Sequence, residues 1–182
     1  MASIKIPRTV GFGAGLIALF IAVYAIFGAL WGLWRPTMTA TAVEGGGFAI
    51  DTSSNAQFQG FGTFVVATML LAGVLSFGVF KYAKSRRSLS TLITIGLLSV
   101  AGSLVFWLVG GFTAPTMPDI DAEVGSEISW APTFSPLYGL AAAPFLALLV
   151  YWSGLYLVLD DSSESDAHSD RVPPVEVGQS VA

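Results

Sequence analysis

The chain has 182 residues, 54% of them hydrophobic and 11% charged, with a formal net charge of -4 and no cysteine. This mix is far from that of a soluble domain and marks an integral membrane chain, long enough for about four spans of roughly 20 residues and little else. The missing cysteine excludes disulfides, thiolate metal centres and a cysteine nucleophile.

The first predicted span covers residues 10–34 and follows Lys5 and Arg8. Its uninterrupted apolar length exceeds the roughly 7 to 15 residues of a signal-peptide core, so it reads as a retained helix. Trp31 and Trp34 fit an interfacial aromatic belt at its outer end. Gly11, Gly15, Gly28 and Gly32 form two small-xxx-small spacings, which allow close approach of another helix of this bundle or of a partner.

Residues 35–61 form the first outer loop. Alternating and β-branched residues on both sides of Gly45-Gly46-Gly47 predict a short β-hairpin. An isolated hairpin is marginal, so it is expected to lean on the other outer loop, with Phe48, Phe58, Trp130 and Phe134 as apolar contacts. The glycines are not followed by Lys-Ser/Thr, which excludes a phosphate-binding P-loop.

The second span, 62–80, ends at Lys81, Lys84, Arg86 and Arg87, half of the eight basic residues in the chain. A short loop this rich in Lys and Arg is the main orienting signal of a membrane protein and reads as cytoplasmic. The third span covers 89–109 and the second outer loop 110–135. That loop contains Asp119, Asp121, Glu123 and Glu127 without a basic residue. An EF-hand counted from Asp119 would need Gly and Glu where Val124 and Trp130 stand. The loop therefore reads as a solvated acidic surface, with Asp119, Asp121, Glu123 and Trp130 as candidate partner contacts and a divalent cation or a basic partner as the alternatives to plain solvation.

The fourth span is predicted over 136–159, capped by Ser135 with Pro136 at its first position and kinked at Pro144. Tyr151, Trp152 and Tyr156 approach its inner end as aromatic anchors, and Trp152 is a further candidate partner contact. Residues 160–182 are rich in acids, Ser, Pro and Gly and read as a disordered cytoplasmic tail. The single histidine, His168, lies there and is not read as a metal ligand.

Charge counting places both termini in the cytoplasm. The outer loops together hold Arg35 against Glu44, Asp51, Asp119, Asp121, Glu123 and Glu127. Shifting the chain by 79 residues carries Pro36-Thr37-Met38 onto Pro115-Thr116-Met117, Glu44 onto Glu123, Gly46 onto Gly125 and Gly60 onto Gly139. This suggests two copies of a helix-loop-helix unit.

None of the predicted spans contains Asp, Glu, Lys, Arg or His. That speaks against a pump, a proton-coupled transporter, a membrane hydrolase and axial-histidine haem. Neither a Ser-His-Asp set nor a metal-ligand spacing occurs outside the spans, and nothing brings Glu44 or Asp51 to an acid of the second loop as a catalytic pair.

Leu30-Trp31-Gly32-Leu33-Trp34-Arg35-Pro36, the β-like loop to Asp51, the Lys81–Arg87 turn and Phe134-Ser135-Pro136-Leu137 resemble a family of small four-helix membrane proteins of mycobacteria and corynebacteria. The likeness covers roughly residues 10–160 and implies no catalytic residue. Size and plan are also similar to a small accessory subunit of the actinobacterial cytochrome bcc-aa3 respiratory supercomplex. The expected molecule is thus an all-α, four-span protein of the plasma membrane. Its expected role is that of a non-catalytic accessory or scaffold subunit, without cofactor apart from structural lipids. Its partners would be membrane subunits and lipids rather than nucleic acid. The competing reading is a lipid-handling auxiliary of the cell envelope.

Overall fold

The computed structural model describes residues 8–44, 47–50, 54–116 and 123–169, with side chains from Gly11 to Val158 in those segments, Arg86 excepted. In chain order the elements are α1 (Arg8–Leu33), β1 (Met38–Val43), β2 (Gly47–Ile50), α2 (Ala56–Tyr82), α3 (Leu89–Thr113), β3 (Glu127–Trp130) and α4 (Ala142–Ser169), with a 3₁₀ turn at Lys84–Arg86.

α1, α2 and α3 are long and apolar enough to cross a bilayer. The apolar part of α4, Ala142–Val158, is shorter. Its 17 residues rise about 26 Å at 1.5 Å each, against a hydrocarbon core of about 30 Å.

The large exposed side chains of the helices are apolar, among them Ile17, Ile26, Leu30, Val66, Leu70, Val74, Ile93 and Leu97, whereas Thr68, Ser76, Ser99 and Ser103 are fully buried. Such an exterior suits lipid, and these four buried hydroxyls are each bonded to backbone. Ser76 donates to the Ala147 carbonyl across to α4 at 2.6 Å, and Thr68, Ser99 and Ser103 donate to the carbonyl four residues back.

Small residues decide which helices meet. α1 packs mainly on α3, α2 on α4, and α3 on α4. A methyl group at Gly28 would lie 2.6 Å from the Phe106 carbonyl oxygen, one at Gly110 2.5 Å from the Trp31 ring, and one at Gly102 2.5 Å from the Tyr24 ring. α2 buries Ala56, Gly60, Phe64, Thr68, Ala72, Ser76 and Val79, a stripe at spacings of three and four residues. Ala143, Ala147 and Tyr151 repeat every fourth residue on α4 and are likewise buried.

The helix boundaries follow local chemistry. Ser88 caps α3 by accepting the Thr91 N–H at 3.2 Å. Pro36 disfavours helical geometry at Arg35, so α1 closes with bonds from Trp34 N–H to Trp31 and from Arg35 N–H to Gly32. α2 begins at Ala56 rather than at residue 62, because Asn55 already accepts the Gln59 N–H, and the helix includes polar residues outside its apolar run.

The start of α4 differs more from expectation. Residues 136–141 form turns closed by Gly139 N–H to Pro136 and Ala142 N–H to Gly139, and the helix proper starts at Ala142. Pro144 lacks the N–H that would bond the Leu140 carbonyl, so the regular ladder begins beside it instead of kinking around it. At the other end α4 continues to Ser169, whereas the sequence pattern ended it at residue 159. No Pro or Gly intervenes before Pro173, and extending a nucleated helix is cheap. Residues 170–182 of the predicted tail lie outside the described residues.

The hairpin forms, and a strand from the segment between α3 and α4 joins it. β1 pairs antiparallel with β2 and with β3, in the order β2-β1-β3. Met38 faces Trp130, Thr39 faces Ser129 and Thr41 faces Glu127. Gly125, with φ of 91°, turns the chain into β3 in a conformation that favours glycine. The loops therefore do pack together, but through backbone. Phe48 lies opposite Ala42 on the far strand and Trp130 opposite Met38, so the expected pairing of those two aromatics is replaced by strand pairing.

Candidate functional site

The predicted site residues fall into three environments. Gly28 and Gly32 are buried against α3, where a methyl at Gly32 would run into Thr113 and the Gly110 carbonyl, so these glycines pack the bundle internally. Trp31, expected as an interfacial anchor, belongs to the same interior. Its indole donates to Thr63 Oγ1 at 3.0 Å and lies 5.2 Å from the Phe106 ring. Tyr151 is also buried, with no partner for its hydroxyl, rather than anchoring an interface. Trp34, Trp152 and Tyr156 are exposed.

Of the acidic loop, Glu123 is exposed, and Asp119 and Asp121 lie outside the described residues. Lys81 and Lys84 are exposed; the Arg86 side chain lies outside the described residues. Arg87 turns back to bond the Phe80 carbonyl through Nε and Nη2 at 3.3 and 3.2 Å, with its guanidinium 3.9 Å from the Phe80 ring centroid. It thus satisfies a carbonyl at the C-terminal end of α2, where a cation also complements the helix dipole.

Arg35 is the residue whose role the sequence pattern did not disclose. Pro36 holds it just past the end of α1, and Trp31, one turn earlier, supplies the face it stacks on. Its guanidinium lies 5.3 Å from the Trp31 ring centroid and 4.8 Å from that of Phe134. Trp31, Phe64, Phe106 and Phe134 form a connected aromatic cluster beneath it. Only 7% of Arg35 is exposed. Nη2 donates to the Pro132 carbonyl, while Nε is buried without a partner.

Among the described residues no carboxylate pairs with it. Burial pulls its pKa below the usual arginine value, yet a guanidinium stays charged at any physiological pH. Among the described residues the guanidinium has one carbonyl acceptor and two stacking rings, and no anionic acceptor.

Arg35 lines a cavity of about 520 Å³, bounded by Trp107, Leu108, Gly111 and Phe112 at the end of α3, by Ala114–Thr116, and by Trp130, Ala131, Thr133 and Phe134 at and after the end of β3. The Ala131 N–H to Pro115 carbonyl bond, 2.9 Å long, closes the wall that joins α3 to β3. Leu108 and Phe112 are exposed beside the mouth, so the cavity opens at the level of the last turns of a spanning-length helix. Trp130, predicted as a partner contact, lines this cavity. The sequence did hold one signal for the site: Arg35 is the lone cation of residues 35–61 and 110–135, which otherwise hold only acids among their charges, and it directly follows a tryptophan-bearing helix end.

Comparison of the chain with protein-family models, with curated proteins and with solved structures finds no match.

Proposed function

We propose that this chain is a non-catalytic accessory or scaffold subunit of a membrane assembly, crossing the bilayer four times with both termini cytoplasmic. The respiratory supercomplex that its plan resembles is the preferred host. The observation that carries this reading is how the interior is used. The buried hydroxyls of Thr68, Ser76 and Ser99 bond to backbone carbonyls, and the buried glycines hold α1 against α3. These groups are committed to the fold, which leaves the apolar exterior and the outer sheet for interaction.

The 79-residue repeat supports the same plan. It carries α1 onto residues 87–112, against Leu89–Thr113 for α3, and β2 onto 126–129, against Glu127–Trp130 for β3. The same shift carries α2 onto 135–161, against Ala142–Ser169 for α4, and two such halves, packed on each other, would form one body to be held in a larger complex.

The test is affinity purification in a mild detergent at native expression. Stoichiometric recovery of other membrane subunits supports the scaffold reading, and cytochrome absorbance in the eluate supports the respiratory host. Recovery of the chain alone, with native lipid and no other protein, overturns it and favours the lipid-handling alternative.

A further inference from the structure

We propose that the Arg35 cavity binds one anionic phospholipid, its phosphate oxygens on the guanidinium and an acyl chain along Leu108 and Phe112. Such a site is independent of the host assembly.

Three observations converge on it. Arg35 is a buried guanidinium that lines the cavity without a carboxylate partner among the described residues; its Nε packs toward Gly60 of α2, and the rest of its planar fork matches a phosphate. The cavity it lines has room for a headgroup, at about 520 Å³, and its remaining wall is largely apolar and aromatic. The mouth stands beside exposed Leu108 and Phe112, side chains suited to an acyl chain and not to water.

Charge favours the membrane as the source. Arg35 is the only basic residue in residues 35–61 and 110–135, against six acids, so the outer surface repels soluble anions approaching from water. A lipid arriving laterally from the bilayer avoids that field.

The test uses the full chain in an uncharged detergent and counts bound lipid by native mass spectrometry. Phosphatidylglycerol, phosphatidylcholine and diacylglycerol are titrated, with inorganic phosphate as competitor. The expected result is saturable binding of one phosphatidylglycerol per chain, weaker binding of phosphatidylcholine, no defined diacylglycerol adduct and no competition by phosphate at equal concentration.

Arg35→Gln should weaken phosphatidylglycerol binding at least tenfold. Because that substitution also removes a stacking partner of Trp31 and Phe134, a second variant is needed that leaves Arg35 in place. Gly111 lines the cavity, and a methyl added there would have nothing within 4 Å, so Gly111→Phe should fill the space and cost the same binding without a clash. Gly62→Phe, equally unobstructed but outside the cavity, should bind like the parent.

Parent-like affinity in a folded Gly111→Phe overturns the site. Equal binding of diacylglycerol shows an apolar groove that does not read phosphate, and effective competition by inorganic phosphate shows a soluble-anion site; either result overturns the proposal.

Discussion

Gly28, Gly102 and Gly110 stand where side chains and backbone of α1 and α3 approach too closely for any other residue, whereas Gly11 and Gly15 on the same α1 have nothing within 4 Å of an added methyl. The sequence spacing treats all of α1's glycines alike; the difference comes from where α1 and α3 approach most closely. Leucine at Gly28 or Gly102 should therefore destabilise the chain itself by about 1–3 kcal/mol or more, the range for overpacking. Leucine at Gly11 or Gly15 should be close to neutral. Thermal unfolding in detergent checks both, and comparable losses at Gly15 and Gly28 would show that the α1–α3 contact is misplaced. Loss of a partner in a Gly28 or Gly32 variant would thus report a damaged bundle before it reported a lost interface. Arg35 was harder to read than the glycines, because its burial depends on Phe134, nearly a hundred residues later, and on Pro132 offering a carbonyl. One-dimensional charge counting registers the cation and not the fold that encloses it.

Among the elements, hydrophobic run length marked the helices well and their ends less well. α3 begins where Ser88 announces it, since an N-cap acts within one turn. α4 does not begin at Ser135-Pro136, although that dipeptide has the same local appearance, because Pro144 removes the next bond in the ladder eight residues later. Replacing Pro144 with Ala should restore a donor toward Leu140 and be neutral or stabilising, where a mid-helix proline would have given a gain of about 3 kcal/mol. Hydrogen exchange over residues 140–145 should then show increased protection. The sheet allows a stricter test, because β1–β3 register depends on two loops far apart in sequence. Cysteines at Thr39 and Ser129 face each other, and in a chain without cysteine they should form a disulfide efficiently on oxidation. A pair at Thr39 and Ile128, one residue out of register, should not, as its side chains point to opposite faces. Equal cross-linking of both pairs, read by mobility on non-reducing gels, would reject the pairing. The hairpin itself was legible from its glycine turn and alternation. Its third strand was not, since Glu127–Trp130 is too short to stand out without the partner that completes it.

For the whole molecule, composition alone indicated a membrane protein, and the apolar exterior over a core containing serine and threonine agrees with that. Orientation is a separate question, and the hinge between α2 and α3 is where it can be tested. Exposed Lys81 and Lys84 are free to act as topological signals, whereas Arg87 is committed to the Phe80 carbonyl and ring. The two roles should separate by mutation. Changing Lys81, Lys84 and Arg86 together to Gln removes most of the hinge's charge while leaving the Arg87 contacts, so it should mix the orientations without loosening the fold. Changing Arg87 alone to Gln should keep a single orientation but lower stability by about 1–3 kcal/mol, the range for a hydrogen bond to a charged group. The readout is single cysteines placed at exposed Ser85 and Glu123 in each background and treated in intact cells with an impermeant thiol reagent. In the parent, Glu123→Cys should label and Ser85→Cys should not. The triple variant should label partially at both positions, and the Arg87 variant should keep the parental pattern with a lower melting temperature. Labelling at Ser85 in the parent would invert the topology, placing the Arg35 cavity in the cytoplasmic leaflet and the acidic loops inside the cell.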